Sequence, residues 1–317
     1  MSYQQKHFNV DRLKKIFFFF FNLILISCSE VNNNYIPIDN NKINNDLIGR
    51  GKYVFNYSTS KSSIQTNIYF YVPENISISA DIIFIFHGNA RNAIDYRNAL
   101  IEKADSHNFI VLAPEFSEKN FPGGDGYNLG NVFVDGDNPS EESLNPEIDW
   151  TFSLVEPIFE SFLELSGAKS TSYNIIGHSA GGQFAHRLMF FKPYGRHNKI
   201  ITSAPGWYTC VDFDVSFPYG FLKSPLEKIN LKNTFDVDLT IQVGSLDNNP
   251  NDNNLRHNSI VDIQGLNRLE RAYYFFGQAN SLSSQLNHNF NWNLIINDGA
   301  THDYRQALDN AVKLIYE

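Results

Sequence analysis

The sequence predicts an α/β domain built on a mostly parallel sheet with helices on both faces. From about residue 50, short apolar runs rich in Ile, Val and Phe alternate with longer segments of helical period. Near-continuous apolar strands that alternate with helices are typical of a parallel sheet covered on both faces. About 270 residues follow residue 46, which is enough for one large hydrophobic core.

The predicted elements follow this alternation along the chain. The predicted strands are residues 53–58, 67–72, 81–86, 109–112, 173–176, 199–202, 239–243 and 292–296. The predicted helices are residues 93–106, 145–165, 181–191, 260–285 and 302–316. The first two strands alternate polar and apolar residues, as an antiparallel hairpin at the sheet edge would. Residues 114–146 are predicted to form loops, and the irregular residues 207–236 could form a partial cap.

The N-terminus carries a predicted targeting segment. A positively charged stretch precedes an apolar run over residues 16–26, which at about eleven residues is too short to cross a bilayer of ~30 Å. We therefore assign residues 1–27 to a signal peptide and leave them out of the fold. The run ends in 25-LISC-28, which resembles the bacterial lipobox. That resemblance implies a lipid on Cys28 and an exported protein anchored to a bacterial membrane, facing the periplasm or the cell exterior. An ordinary signal peptide with a chance cysteine remains the alternative.

The rest of the chain divides into a tether and one domain. Residues 28–49 are polar and rich in asparagine, as a flexible tether would be, and residues 50–317 form the predicted domain. Cys210 is the one cysteine after Cys28, so the domain must depend on its core and not on an internal disulfide. The formal charge of −9 comes without a basic stripe, so no nucleic-acid partner is expected.

A serine stands between a predicted strand and a predicted helix in 173-YNIIGHSAGGQFAHRL-188. Gly177 and Gly181 flank Ser179 in the pattern Gly-x-Ser-x-Gly. A sharp strand-to-helix turn strains its central residue and exposes the side chain, while the glycines let helix and strand approach. Ser179 is therefore the predicted nucleophile. The alternative is a serine that only caps the helix.

This motif, in this order of elements, resembles the α/β-hydrolase family over residues 50–317. The stretch 87-HGNAR-91 and the general layout resemble, more loosely, the polyhydroxybutyrate-depolymerase and feruloyl-esterase type. The resemblance implies the α/β-hydrolase fold and a Ser, acid, His order along the chain. It also implies an oxyanion hole with the backbone N–H groups of Asn89 and Ala180 as donors. No dissociable cofactor is needed, and the expected partner is a small or polymeric ester substrate.

The two partners of Ser179 can be sought separately, because serine needs a base to take its proton. Of the histidines after residue 247, only His302 follows the last predicted strand and opens a helix. Asp247 is the first carboxylate after the preceding strand, and Asp252 is the substitute. The alternatives are a solvated histidine at a helix start and an aspartate that serves the turn 247-DNNP-250.

Three aromatic residues lie on loops at the expected catalytic face. We predict that Tyr127, Trp207 and Tyr208 line the substrate pocket, although aromatic residues more often belong to the core. Acidic residues in the loop 122–146 could bind calcium, but their spacing does not match an EF-hand. Because no HExxH or paired-cysteine ligand set is present, we predict no metal site.

The sequence thus predicts an exported serine hydrolase that cleaves carboxylic esters. Two alternatives stay open. One is a peptidase or amidase on the same scaffold, since the same chemistry serves esters and amides. The other is a surface-anchored binding protein without catalysis, which the intact set of Ser179, His302 and 87-HGNA-90 argues against.

Overall fold

One eight-stranded sheet organises residues 42–317, the part of the chain that the computed structural model describes. The predicted signal peptide, Cys28 and most of the predicted tether lie outside the described residues. The strands are β1 Gly49–Ser58, β2 Ser63–Val72, β3 Ile82–Phe86, β4 Ile110–Pro114, β5 Tyr173–His178, β6 His197–Ser203, β7 Asp238–Gly244 and β8 Asn293–Asn297. The helices are α1 Ala93–Ala99, α2 Ile101–His107, α3 Gly123–Gly126, α4 Val155–Ser166, α5 Ala180–Phe191, α6 Leu231–Asp236, α7 Arg268–Gln285 and α8 Tyr304–Tyr316.

The strands lie in the order β1-β2-β4-β3-β5-β6-β7-β8. β1 pairs antiparallel with β2, and β2 pairs antiparallel with β4. Every other pair of neighbours is parallel. The predicted parallel sheet with an antiparallel hairpin at its edge is confirmed. In such a sheet the carboxyl ends of the parallel strands share one edge, where chemistry gathers.

Helices cover both faces of the sheet, as predicted. The side chains of β3 alternate between the two faces: Ile83 and Ile85 join one cluster of buried residues, and Phe84 and Phe86 join the other. The first cluster contains residues of α1, α2 and α8, and the second contains residues of α4, α5 and α7. Burial of each large apolar side chain contributes about 1.5–3 kcal/mol, which makes these two layers the main source of stability.

Three predicted helices are shorter or interrupted in the structure. The predicted helix 93–106 breaks at the buried Leu100, whose N–H bonds to Arg97 in a tight turn, so α1 and α2 are separate. The predicted helix 145–165 begins in regular form only at Val155, after two short 3₁₀ segments. Between those segments Trp150 is extended, buried, and donates its indole N–H to the carbonyl of Asn145 at 2.9 Å.

The predicted helix 260–285 is interrupted at Gly265. This residue has φ +132°, a conformation that side chains other than glycine rarely adopt, and a Cβ there would collide with Glu270. A 3₁₀ segment, Val261–Gln264, precedes it, and α7 begins only at Arg268. The segment of helical period therefore folds as two elements, a short 3₁₀ segment and α7, which are separated at Gly265.

Two segments at the margins of the prediction pack into the domain. Ile43 is 5% exposed, and the N–H of Asn44 donates to the carbonyl of Ser166 at 2.8 Å. The contacts of the domain therefore reach back into the segment predicted as tether. Within 207–236, Phe217 and Phe221 are buried in the main core. None of the helices within residues 42–317 has both the length and the apolar character needed to span a membrane.

Candidate active site

Ser179 occupies a strained turn between β5 and α5. Its φ of +57° and ψ of −118° lie outside the regions that side-chain-bearing residues prefer. Its N–H donates to the carbonyl of Ser203 at 2.9 Å, and its carbonyl accepts from Gln183 at 3.0 Å. The hydroxyl makes no capping bond to the helix, unlike the capping serine that the sequence left open. The turn therefore holds the hydroxyl for another partner.

The glycines around Ser179 are required by close packing. A Cβ on Gly177 would collide with the backbone of Gly181, and a Cβ on Gly181 would collide with the carbonyl of Phe86. The first turn of α5 is thus pressed against the ends of β5 and β3. This approach explains why the motif needs glycine at both positions.

The hydroxyl of Ser179 faces His302, and His302 faces Asp247. His302 Nε2 lies 3.1 Å from Ser179 Oγ, and His302 Nδ1 lies 2.6 Å from Asp247 Oδ2. Asp303, and not His302, caps α8 by accepting from the N–H groups of Arg305 and Gln306. His302 therefore lies just before the helix with both ring nitrogens engaged, which differs from a solvated residue at a helix start.

The structure distinguishes the two acids that the sequence left open. Asp247, which follows β7, is 5% exposed and contacts His302 directly. Asp252 instead accepts from Arg268 Nη1 at 2.8 Å. The same Nη1 lies 3.1 Å from Asp247 Oδ1, and the Arg268 side chain is 2% exposed. Sequence reasoning missed Arg268, because one arginine at the start of a predicted helix carries no signal of this contact.

The loop after β3 lies beside Ser179. A Cβ on Gly88 would stand 3.6 Å from the Cβ of Ser179, so the predicted oxyanion loop is adjacent to the nucleophile. Asn89 is exposed on this loop. Ala180 is the first residue of α5, and the first amides of a helix have no acceptor within it. Both N–H donors predicted from the sequence therefore belong to segments that border Ser179.

The buried His87 and the partly buried Arg91 hold this loop in place. His87 Nδ1 lies 3.0 Å from the carbonyl of Gly88, and its Nε2 accepts from the N–H of Phe116 at 3.1 Å. Burial lowers the pKa of His87 to about 4, so the ring is neutral and braces the loop. Arg91 binds the carbonyls of Phe116 and Gly123 and lies over the ring of Tyr127.

The predicted role of Tyr127 in the pocket is corrected by the structure. Its side chain has no exposed surface, and its hydroxyl donates to the carbonyl of His87 at 2.7 Å. Tyr127 therefore supports the loop from beneath and does not line a pocket. A fully buried ring could have been expected from the general tendency of aromatic residues to join the core.

Tyr208 is corrected for the same reason, while Trp207 keeps a small exposed edge. Tyr208 has no exposed surface and stacks on Phe275 with ring centroids 4.4 Å apart. Trp207 is 4% exposed, and the guanidinium groups of Arg187 and Arg256 lie over its ring, 4.2 and 4.9 Å from the centroid. The two cations fix the indole, so any contact with a ligand would be limited to its edge.

A second buried histidine lies behind His302. His178, the residue before Ser179, is 3% exposed, and its ring centroid is 4.7 Å from that of His302. Its Nδ1 is 2.9 Å from the hydroxyl of Tyr96. Burial holds the pKa of His178 well below its usual value, so it presents a neutral ring to His302.

The arrangement suits transfer of an acyl group to a hydroxyl. A hydroxyl, a base and an orienting acid stand in one hydrogen-bonded line, and the loop after β3 borders the hydroxyl. Among residues 42–317, no three histidine, cysteine or carboxylate side chains converge as a metal site would require.

Known structures resemble this fold over most of the chain. Poly(aspartic acid) hydrolase-1 from Sphingomonas sp. KT-1 is 31% identical and superposes with a TM-score of 0.78, covering 85% of this chain and 99% of that one. The poly(3-hydroxybutyrate) depolymerase from Bordetella parapertussis is 27% identical with a TM-score of 0.75, covering 85% of this chain and 90% of that one. No protein-family model and no curated protein matches the sequence.

More distant structures share the fold alone. An S-formylglutathione hydrolase from Agrobacterium tumefaciens is 16% identical with a TM-score of 0.51, covering 86% of this chain and 95% of that one. All three similar proteins are named as hydrolases or as a depolymerase. Together with the strand order, these likenesses confirm the predicted α/β-hydrolase fold.

Proposed function

Because the chain belongs to the α/β-hydrolase family, we propose that it is an exported serine hydrolase that cleaves carboxylic esters through an acyl-enzyme on Ser179. The observation that carries this proposal is the hydrogen-bonded line from Ser179 Oγ through His302 to Asp247, with distances of 3.1 and 2.6 Å. These groups come from three separate strand-to-helix connections, and a line of this kind is the arrangement that activates a serine.

In the proposed reaction, His302 moves one proton in each half. Nε2 takes the proton of Ser179 as Oγ bonds to the ester carbonyl, and then gives it to the departing alcohol as the C–O bond breaks. Water next loses a proton to Nε2 and attacks the acyl group, and Ser179 leaves with that proton. Asp247 keeps the imidazole in the tautomer that accepts at Nε2 and stabilises the cation that forms.

The carbonyl oxygen becomes negative in both halves. We assign its stabilisation to the N–H groups of Asn89 and Ala180, which border the nucleophile. His87, Arg91 and Tyr127 support the assignment, because they fix the loop that carries Asn89 before any substrate arrives. Fixed donors cost no reorganisation during the reaction, which is why such bracing matters for rate.

The depolymerase likeness supports a polymeric ester as substrate, in keeping with the looser resemblance seen in 87-HGNAR-91. A second candidate is hydrolysis of amide bonds, because the structure at 31% identity is named for poly(aspartic acid), whose units are joined by amides. The chemistry of the line serves both, and the two bonds differ mainly in how well the leaving group departs.

Labelling and substrate tests separate these possibilities. Purified protein should react with a fluorophosphonate probe, and Ser179→Ala should abolish labelling and lower turnover by several orders of magnitude. A folded Ser179→Ala variant that keeps more than about a tenth of the rate would refute the nucleophile. A substrate panel then shows which type of bond is cleaved. It contains short-chain aryl esters, the matching anilides, 3-hydroxybutyrate oligomers and poly(aspartic acid). Anilides or poly(aspartic acid) cleaved as fast as esters would establish the second candidate.

We also propose that the protein is anchored to a bacterial membrane by lipid on Cys28. The support is the sequence 25-LISC-28 after an apolar run, and Cys28 lies outside the described residues. Two or more acyl chains hold a protein stably on a bilayer. The protein from expressing cells should therefore partition into detergent, and Cys28→Ala should move it to the aqueous phase. A processed wild-type protein in the aqueous phase would refute the anchor.

A further inference from the structure

A line of alternating charges continues beyond the acid that orients His302. Asp247 uses Oδ2 for His302 and Oδ1 for Arg268, whose Nη1 also reaches Asp252. The line runs from the partly exposed Asp252, at 27% of its side chain, inward to Asp247, at 4%. His302 and its neighbour Ser179 stand at its inner end.

Arg268 is fixed by the start of α7 and does not reach the site by chance. It is the first residue of that helix, which is capped by Asn267 through a bond of 2.9 Å to the N–H of Glu270. The next residue, Leu269, donates its N–H to the carbonyl of Asp247 at 3.3 Å. The helix start and the loop of Asp247 are therefore joined through the backbone as well as through the guanidinium.

Burial of Arg268 would be strongly unfavourable without carboxylate partners. Its side chain is 2% exposed, and a buried cation must be paired to remain charged. An aspartate held by one oxygen can turn about its last side-chain bond, because that torsion is broad and two-fold. A guanidinium on the second oxygen prevents this rotation, and arginine is well suited to fixing carboxylates.

Resting on the proposed function, we propose that Arg268 is a positioning residue that fixes Asp247 toward His302, and that Asp252 balances the charge of Arg268. Asp247, Arg268 and Asp252 together carry a net charge of −1, which favours the imidazolium that His302 becomes during reaction. Loss of Asp252 would bring this net charge to zero, and loss of Arg268 would bring it to −2.

The other titratable groups around His302 are either neutral or bonded elsewhere. The net charge of Asp247, Arg268 and Asp252 is therefore the main charge acting on the imidazole. His178, which packs behind it from the end of β5, is held neutral by burial. Asp298, on the same loop as His302, accepts from the hydroxyl of Ser245 at 3.3 Å. Asp303 accepts from the first amides of α8. Neither acid is bonded to the imidazole.

The test compares two variants whose effects on the pH profile have opposite signs. Arg268→Gln should lower kcat about 10- to 100-fold, because a misplaced catalytic group is costly. It should also move the acidic limb of kcat/KM to higher pH by about half to one unit, because a nearby cation has been removed. Asp252→Asn should lower kcat less than about tenfold and move the limb to lower pH. Arg268→Lys should restore the position of the limb but only part of the rate, since the flexible lysine ammonium would not be held at the place where Nη1 meets both carboxylates.

The outcome can be separated from that of the proposed function. Suppose that Ser179→Ala is inactive, but that the acidic limbs of Arg268→Gln and Asp252→Asn stay in place or move in the same direction. Arg268 and Asp252 then do not have the proposed roles. If Ser179→Ala is active, the proposed function itself fails. Should Arg268→Gln not fold, as judged by its melting transition, the other two variants decide. A wild-type rate in Arg268→Lys overturns the positioning role, and a limb that does not move in Asp252→Asn overturns the charge balance.

Discussion

Removal of one hydroxyl beneath the oxyanion loop should slow turnover without changing which substrates are preferred. Tyr127→Phe deletes the donor that lies 2.7 Å from the carbonyl of His87, and it leaves the buried ring in place. The carbonyl then has no partner at that position and cannot reach water. A buried polar group that has lost its hydrogen-bond partner lowers the free energy of unfolding by about 1–3 kcal/mol. For a domain of about 270 residues, that corresponds to a fall in Tm of roughly 2–5 °C.

The kinetic effect follows from the same bond. Removal of an oxyanion donor costs about 10²–10³ in kcat, and a loosened donor should cost less, so we expect a decrease of about 3- to 30-fold. The assay is kcat and KM for a series of aryl esters from acetate to octanoate. The ratios of kcat/KM along this series should match those of the wild type, because Tyr127 has no surface in contact with the acyl group.

A matched control is Tyr53→Phe. Tyr53 lies on β1, at the edge of the sheet farthest from the site. Its hydroxyl donates to the carbonyl of Ile158 at 3.4 Å. This weaker bond should change Tm less and leave kcat unaltered. A changed acyl preference in Tyr127→Phe would restore Tyr127 to the pocket, and an unchanged kcat beside a lowered Tm would show that the loop does not depend on it.

Three further outcomes are expected. The free energy of unfolding should fall as the pH is lowered below about 6.5, because buried histidines with a lowered pKa stay neutral in the folded state and gain a proton on unfolding. Each such histidine should lower the free energy of unfolding by up to about 1.4 kcal/mol per pH unit, which urea unfolding between pH 7 and 4 would measure. These histidines are His87, His178 and His186; a flat profile would contradict their burial. Gly181→Ala should prevent formation of the active turn, as seen by loss of fluorophosphonate labelling, whereas Gly277→Ala, on an open face of α7, should raise stability by up to about 1 kcal/mol. Trp207→Ala should change the rate on octanoate esters more than on acetate, by about 10-fold or more if its exposed edge meets the acyl chain, and equal loss on both would assign it a structural role.

The sequence was most informative where local chemistry and periodicity agreed. The apolar runs predicted every strand of the parallel region, and Gly-x-Ser-x-Gly located the turn at Ser179 because glycine is needed there for close approach. The choice between Asp247 and Asp252 was different. Both follow the same strand within one polar loop, and only the folded path of that loop puts one of them against His302.

The remaining differences arise from tertiary contacts that leave no local pattern. Tyr127 and Tyr208 belong to loops at the catalytic face, yet both turn inward to fill the core. Arg268 is separated by 21 residues from Asp247, and neither its residue type nor its position in the sequence predicts the ion pair. Burial of a loop residue depends on what packs above it, and periodicity cannot report that.

The connections that supply the site are far apart in the chain, since Asn89, Ser179, Asp247 and His302 follow four different strands. None of them can act until the sheet has joined strands from the beginning and the end of the domain. Such distant pairings form slowly during folding. Turnover is therefore a reporter of complete assembly: a chain emerging from the ribosome displays Ser179 long before His302 and should gain activity only in the last step. If the chain were divided within residues 207–236, each fragment alone should be inactive. The rate of hydrolysis restored on mixing would then measure the fraction of molecules in which both fragments had assembled.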